Sequence, residues 1–113
     1  MSHSDSSTST EVLATFEIKA RPGANLEEAL RLQQHLHEVA RATPGIGEIG
    51  ATSWTNDEGT LLVVYTFRSM DALKAFVRHP EHVAAMKRGK EFFASIRTQI
   101  APVVKQSESD FAP

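Results

Sequence analysis

Four segments of the chain alternate between apolar and polar residues, and two regions between them repeat with a helical period. The alternation over 11–19, 47–56, 60–68 and 95–104 predicts four β-strands. The helical period predicts a first helix from Leu26 to about Ala42, and a second from Met70 to Val77. Pro80 suits the first turn of a further helical segment reaching about Phe93. The order β-α-β-β-α-β predicts a ferredoxin-like α+β fold with a four-stranded antiparallel sheet.

Both faces of this sheet carry apolar side chains. One face has Phe16, Val63 and Tyr65, and the other has Leu13, Leu62 and Val64. Helices that connect strands of this order cover one face, so the second face needs another cover. A second copy of the same sheet is the simplest cover, which predicts a homodimer through the sheet faces. Long side chains or the terminal segments are the alternative cover.

Size and composition indicate one domain and limit the classes of partner. The chain has 113 residues, a net charge of −2 at pH 7 and no cysteine. A slightly negative net charge gives no reason to expect binding to nucleic acid or to an anionic membrane. Because the sequence has no cysteine, disulfide bonds and thiolate chemistry are excluded. The polar segments 1–10 and 105–113 are expected to be a disordered tail and a C-terminal tail around a domain at 11–104. No signal peptide or membrane-length apolar run is found, so we expect a cytoplasmic protein.

The most conspicuous chemical pattern is the spacing of His79, His82 and Met86. Intervals of three and four residues place all three on one stripe if the helix is continuous through Pro80. If the chain kinks at Pro80, His79 belongs to the preceding turn instead. Two histidines three residues apart need a third ligand to hold a metal, and no carboxylate follows at the right interval. We therefore expect no metal site, and interpret the stripe as the pocket-facing side of the second helix.

Other aromatic and histidine residues are candidates for binding a substrate. His37 lies near the apolar face of the first helix, whereas His35 faces solvent. Trp54 either lines a pocket or is buried at the dimer interface. Tyr65 is either a phenol donor toward a bound aromatic or a core residue whose hydroxyl reaches the surface. Four phenylalanines, together with Met86, form either a core or an apolar cavity suited to a flat aromatic guest. They are Phe16, Phe76, Phe92 and Phe93.

The element order and two sequence motifs resemble the antibiotic-biosynthesis monooxygenase (ABM) domain, a branch of the dimeric α/β-barrel superfamily. The motifs are "PGI" after the first helix and "FRSMDALKAFVRHPEHVAAMKRGKEFF". The resemblance spans roughly residues 11–104 and implies a dimeric α/β barrel. The family includes cofactor-free oxidases of aromatic polyketides, small quinol oxygenases and haem-degrading monooxygenases. The motif is specific for the fold and says little about the reaction.

The haem-degrading branch gives a sharper comparison. That branch has an asparagine on the first strand, a tryptophan in the second helix and an axial histidine about ten residues further on. The corresponding positions here hold Phe16, Phe76 and Met86, so the chain departs from that branch at all three. A histidine is the usual axial ligand of haem, and His82, one turn before Met86, could serve instead.

The resemblance and the residue types together imply a monooxygenase or oxidase that acts on a small aromatic or quinol-like substrate without metal or flavin. His82 would be the catalytic base, and the substrate would contact His37, Trp54, Tyr65, Phe76, His79 and Met86. Two alternatives stay open. The first is a haem-binding or haem-degrading protein. The second is a non-catalytic dimeric module that binds a small hydrophobic molecule.

Overall fold

The computed structural model describes residues 10–111, so the expected N-terminal tail lies almost wholly outside the described residues. Four strands and four helices follow each other along the chain. They are β1 (Val12–Ala20), α1 (Leu26–Ala42), β2 (Gly50–Thr55), β3 (Leu61–Phe67), α2 (Met70–Arg78), α3 (Pro80–Lys87), α4 (Gly89–Phe92) and β4 (Phe93–Pro102). Within residues 10–111, every helix is too short or too polar to cross a membrane.

The strands form one antiparallel sheet in the order β2-β3-β1-β4. This order and the helices on one side confirm the predicted ferredoxin-like α+β fold. The register pairs Phe16 with both Val63 and Thr98, so these side chains share the face that the helices cover. β4 is an edge strand, which explains how Pro102 is accommodated at its end.

Side-chain caps define where α1 and α2 begin. Asn25 Oδ1 accepts a hydrogen bond from the Glu28 N–H at 3.1 Å, and Ser69 Oγ accepts one from the Ala72 N–H at 3.0 Å. Each contact satisfies one of the amide groups that the first helical turn leaves without a partner. The observed start residues, Leu26 and Met70, agree with the sequence prediction.

The chain breaks between α2 and α3, and this break removes His79 from the predicted stripe. His79 is extended, with φ −61° and ψ 134°, because a following proline disfavours the helical region for the residue before it. Its Nδ1 accepts a hydrogen bond from the Glu81 N–H at 3.1 Å, so His79 caps α3. The helical segment expected to reach Phe93 ends at Lys87, and β4 begins at Phe93 after the short helix α4.

The core lies between the helices and one face of the sheet. It consists of Val12, Ala14, Ala40, Ile46, Ile49, Phe67 and Leu73. The other face has no covering element among the described residues. Its apolar side chains on the central strands, Leu13, Leu62 and Val64, are half-buried, and Trp54 on β2 is 54% exposed. The apolar second face predicted from the sequence is therefore present in the folded chain.

Candidate functional site

A cavity of about 500 Å³ lies between the helices and the helix-covered face of the sheet. Its wall is mostly apolar and comes from β1, β3 and β4 below and from all four helices above. Five polar side chains interrupt this wall: Gln33, His37, Tyr65, His82 and Thr98. A concave, mostly apolar site with a few polar groups is the usual form of a pocket for a small organic molecule.

The first group of rings in the wall, here called the Tyr65 cluster, consists of Phe16, His37 and Tyr65. The Phe16 and Tyr65 ring centroids are 5.3 Å apart, and those of His37 and Tyr65 are 5.2 Å apart, both in edge-on arrangements. Such contacts fix the planes of the rings in addition to burying their surface. The His37 imidazole is therefore held against β3 from its position on α1.

The second group, here called the His82 cluster, consists of Phe67, Phe76 and His82. The Phe67 and Phe76 centroids are 5.6 Å apart, and those of Phe76 and His82 are 4.7 Å apart. Tyr65 and Phe67 are two residues apart on β3, so both point to the same face of the sheet. The two clusters therefore arise side by side from one strand and reach different helices, α1 and α3.

A backbone contact determines which nitrogen of His82 carries the proton. His82 Nδ1 lies 3.2 Å from the Val77 carbonyl oxygen. Because a carbonyl can only accept, Nδ1 must be the donor, and the neutral ring keeps its lone pair on Nε2. Burial lowers the pKa of His82, the nearby His79 lowers it further, and the bond to Val77 opposes both. His82 is thus a neutral imidazole near pH 7 with one nitrogen able to accept a proton.

Burial also keeps the Tyr65 cluster uncharged. Burial and the nearby Arg41 lower the pKa of His37, against an opposing effect of Glu48. Burial raises the pKa of the Tyr65 hydroxyl to about 12. Tyr65 therefore stays protonated at physiological pH and can donate a hydrogen bond to a ligand. A neutral cluster of this kind suits a ligand oxygen that accepts hydrogen bonds.

The cavity brings together most of the residues that the sequence singled out as candidates. Those that line it are His37, Tyr65, Phe76, His82 and Met86, together with Phe16, Phe92 and Phe93. Met86 lies at the rim, where it is 63% exposed. Two candidates lie elsewhere: His79 caps α3, and Trp54 is on the opposite face of the sheet.

Two polar residues of the wall were missed by the sequence analysis, Gln33 and Thr98. Gln33 is four residues before His37, which places both on one face of α1. That spacing was the signal that could have identified it. His35, by contrast, is on the outer surface, with its Nε2 3.1 Å from Glu81 Oε1. Within residues 10–111, no group of three or more potential metal-binding side chains is present.

Comparisons with known proteins agree with this architecture. The family model of the stress responsive A/B barrel domain (Dabb) matches residues 12–99. A dimeric ferredoxin-like protein of unknown function from Bacteroides fragilis is 27% identical, with a TM-score of 0.53 and coverage of 82% of this chain and 96% of that one. No curated protein matches the sequence.

Two further solved structures share the fold at lower identity. A Caulobacter crescentus protein described as a candidate antibiotic biosynthesis monooxygenase is 20% identical, with a TM-score of 0.68 and coverage of 91% of this chain and 100% of that one. A dimeric ferredoxin-like protein of unknown function from Thermobifida fusca is 13% identical, with a TM-score of 0.61 and coverage of 83% and 92%. At these identities the two matches show a shared fold alone, and it is the fold that the sequence motifs indicated.

Proposed function

Because the chain belongs to the stress responsive A/B barrel domain family, we propose that it works as a homodimer whose two sheets face each other. The apolar face with Leu62, Val64 and the half-exposed Trp54 supports this assembly, since the described residues offer it no cover. Two structural neighbours are described as dimeric. An isologous contact places the same face of both copies together, so each cavity lies on the outer side of the double sheet.

For the cavity, we propose oxidation of a small hydroxylated aromatic or quinol-like substrate by molecular oxygen, with His82 as the base. The observation that carries this proposal is the His82 imidazole, whose Nδ1–H is fixed on Val77 while Nε2 remains a proton acceptor in an apolar wall. Removal of the phenolic proton gives an electron-rich anion, and the substrate then supplies the electrons. The apolar wall would exclude water from that anion.

The proposed reaction has two balanced outcomes. A quinol that loses two electrons and two protons gives a quinone and converts oxygen to hydrogen peroxide. In a substrate such as an anthrone, a ring carbon that carries two hydrogens becomes a carbonyl group. One atom of molecular oxygen forms this carbonyl, and the other leaves as water with the two hydrogens. In both cases the organic substrate is the reductant.

Oxygen uptake with naphthohydroquinones and anthrones tests the oxidation, with the uncatalysed rate in buffer as the blank. We expect uptake above the blank, with ¹⁸O from labelled oxygen in the anthrone product. His82→Ala should lower the rate by about 100-fold or more, the usual contribution of a general base. Val83→Ala is the control, because Val83 follows His82 on α3, is 41% exposed and lies outside the cavity wall. Full turnover by His82→Ala would remove the base assignment.

Haem binding is a second candidate, favoured by the same His82 geometry. A metal-binding histidine typically donates its other ring N–H to a carbonyl group, as His82 does to Val77. Against this, the cavity wall has Phe16, Phe76 and Met86 at the positions where the haem-degrading branch has its asparagine, tryptophan and axial histidine. A haem titration decides the question: no shift of the Soret band at micromolar protein ends this candidate.

A non-catalytic ligand-binding module is the remaining candidate. It predicts that aromatic compounds bind in the cavity while no quinol or anthrone increases oxygen uptake. Binding without turnover by the wild-type protein would therefore favour it over the oxidase.

A further inference from the structure

Two hydrogen-bonding side chains in the cavity wall have no partner among residues 10–111. The Gln33 amide group makes no hydrogen bond with any described residue, and neither does the Tyr65 hydroxyl. Gln33 is one helical turn before His37, whose ring contacts Tyr65 at 5.2 Å. The two free donors therefore belong to the same part of the wall, beside the Tyr65 cluster.

Free donors in an apolar wall favour a ligand that can satisfy them. A polar group that loses water without gaining another partner costs free energy, so an apolar ligand is disfavoured at this position. Tyr65 remains protonated because burial raises its pKa to about 12, and the Gln33 amide also provides N–H donors. A carbonyl oxygen has two lone pairs and accepts from both.

His82 lines the same cavity as these two donors. Tyr65 and Phe67, from which the two clusters start, are two residues apart on β3, and both clusters line the same cavity. A fused aromatic system can carry an oxygen atom at each of its two ends. A ligand of this kind that contacts both clusters can place one oxygen beside the free donors and the other beside His82.

We infer that the cavity selects aromatic substrates with a carbonyl oxygen conjugated to the hydroxyl group that His82 deprotonates, and that Gln33 and Tyr65 donate hydrogen bonds to this carbonyl. The inference rests on the proposed function for the role of His82. Deprotonation of the hydroxyl moves negative charge through the ring to the carbonyl oxygen, where the two neutral donors stabilise it. Gln33 and Tyr65 thus determine specificity for hydroxyaryl ketones over simple phenols.

A matched pair of rigid ligands tests the inference without any turnover. 3-Hydroxy-9-fluorenone and 3-hydroxyfluorene share ring system and hydroxyl, and differ only in a C=O or CH₂ group. Titration calorimetry of the wild-type protein at pH 7 should give an approximately tenfold lower Kd for the ketone, since each net hydrogen bond contributes a factor of about three. A wild-type ratio near one, or no binding of either ligand, overturns the inference.

Variants of the two donors then identify the source of the preference. Gln33→Met and Tyr65→Phe should each reduce the ratio of the two Kd values to about three, with the main loss in ketone binding. Gln34→Met is the matched control and should keep the tenfold ratio, because Gln34 is exposed on the same helix and outside the cavity wall. An unchanged ratio in both donor variants refutes the roles of Gln33 and Tyr65.

Infrared spectroscopy gives a readout that altered folding does not imitate. The carbonyl stretch of bound 3-hydroxy-9-fluorenone should move to lower frequency in the wild-type complex and return toward its apolar-solvent value in Gln33→Met. If the variant does not fold, the wild-type band alone decides, because an unshifted band shows that no donor contacts the carbonyl. A preserved Kd ratio without oxygen uptake would refute the oxidase alone, whereas oxygen uptake with a ratio near one would refute the specificity inference alone.

Discussion

Trp54 provides the most direct test of the proposed dimer, because the exposed area of its side chain limits the free energy that its burial can contribute to dimerisation. The side chain is 54% exposed on the uncovered face of the sheet. About half of a tryptophan's roughly 250 Å² is therefore available for burial, which at about 25 cal/mol/Å² corresponds to roughly 3 kcal/mol per protomer. A twofold interface contains the residue twice, so about 6 kcal/mol is the upper limit. Incomplete burial and the costs of association reduce this value, and we expect Trp54→Ala to weaken dimerisation about 100- to 1,000-fold.

Sedimentation velocity across a dilution series measures this change. Trp54 is the sole tryptophan in the sequence, so its fluorescence reports the same event: emission should be blue-shifted in the dimer and move to longer wavelength on dilution. Leu30→Ala is the matched control, since Leu30 is also 54% exposed but lies on α1. An unchanged dimer constant in Trp54→Ala would show that the sheet face is not the interface.

Three further predictions concern the site and the helix that forms its wall. The value of kcat/KM should rise with pH and then level off, with an apparent pKa below 6.5. Burial of His82 favours its neutral form, which accepts the proton. An inflection above pH 6.5 would contradict this prediction. Tyr65 is the sole tyrosine, so absorbance at 295 nm follows its ionisation directly, and the midpoint should lie near 12 rather than 10; a midpoint of 10 would mean that the hydroxyl is in water. Asn25→Ala removes the cap of α1 and should lower the free energy of unfolding in urea by about 1 kcal/mol, whereas Gln34→Ala should have little effect.

The fold could be predicted because the local signals and the tertiary structure agree. The period-two alternation of β1 and β3 places Phe16 and Val63 on one face, and the register pairs these two residues. Asn25 and Ser69 cap α1 and α2 directly before Leu26 and Met70, the start residues that the helical period predicts. The helical break at Pro80 follows from the restricted backbone of the residue before a proline.

The limits of sequence reasoning are clearest in residues whose role depends on tertiary contacts. α3 ends at Lys87, earlier than the apolar pattern indicates. The guanidinium of the next residue, Arg88, donates hydrogen bonds to Glu28 on α1 at 2.8 Å and to Glu91 at 2.9 Å. The partner Glu28 is 60 residues away in sequence, so no local pattern could reveal it. Similarly, the tautomer of His82 depends on the Val77 carbonyl, which becomes its partner only because the chain kinks between α2 and α3.

In the candidate site, too, some residues could be identified from the sequence and others only from the tertiary structure. His37, Phe76 and His82 could be selected by residue type and helical spacing, and all three line the cavity. Gln33 was overlooked because an amide on a polar helix looks like a solvent-facing residue until the cavity below it is known. Trp54 was ambiguous because a strand side chain can belong to either layer, and only the register with Leu62 places it on the uncovered face.

The central claim is that an aromatic ligand occupies the cavity beside a His82 whose Nε2 is free to take its proton. ¹⁵N NMR of histidine-labelled protein at pH 7.5, before and after addition of 3-hydroxy-9-fluorenone, measures this directly. We expect His82 to show a protonated Nδ1 and an unprotonated Nε2 in the free protein, and the Nε2 signal to move toward the protonated value on binding. A His82 protonated on Nε2 in the free protein, or a His82 signal that the ligand leaves unchanged, would contradict the account.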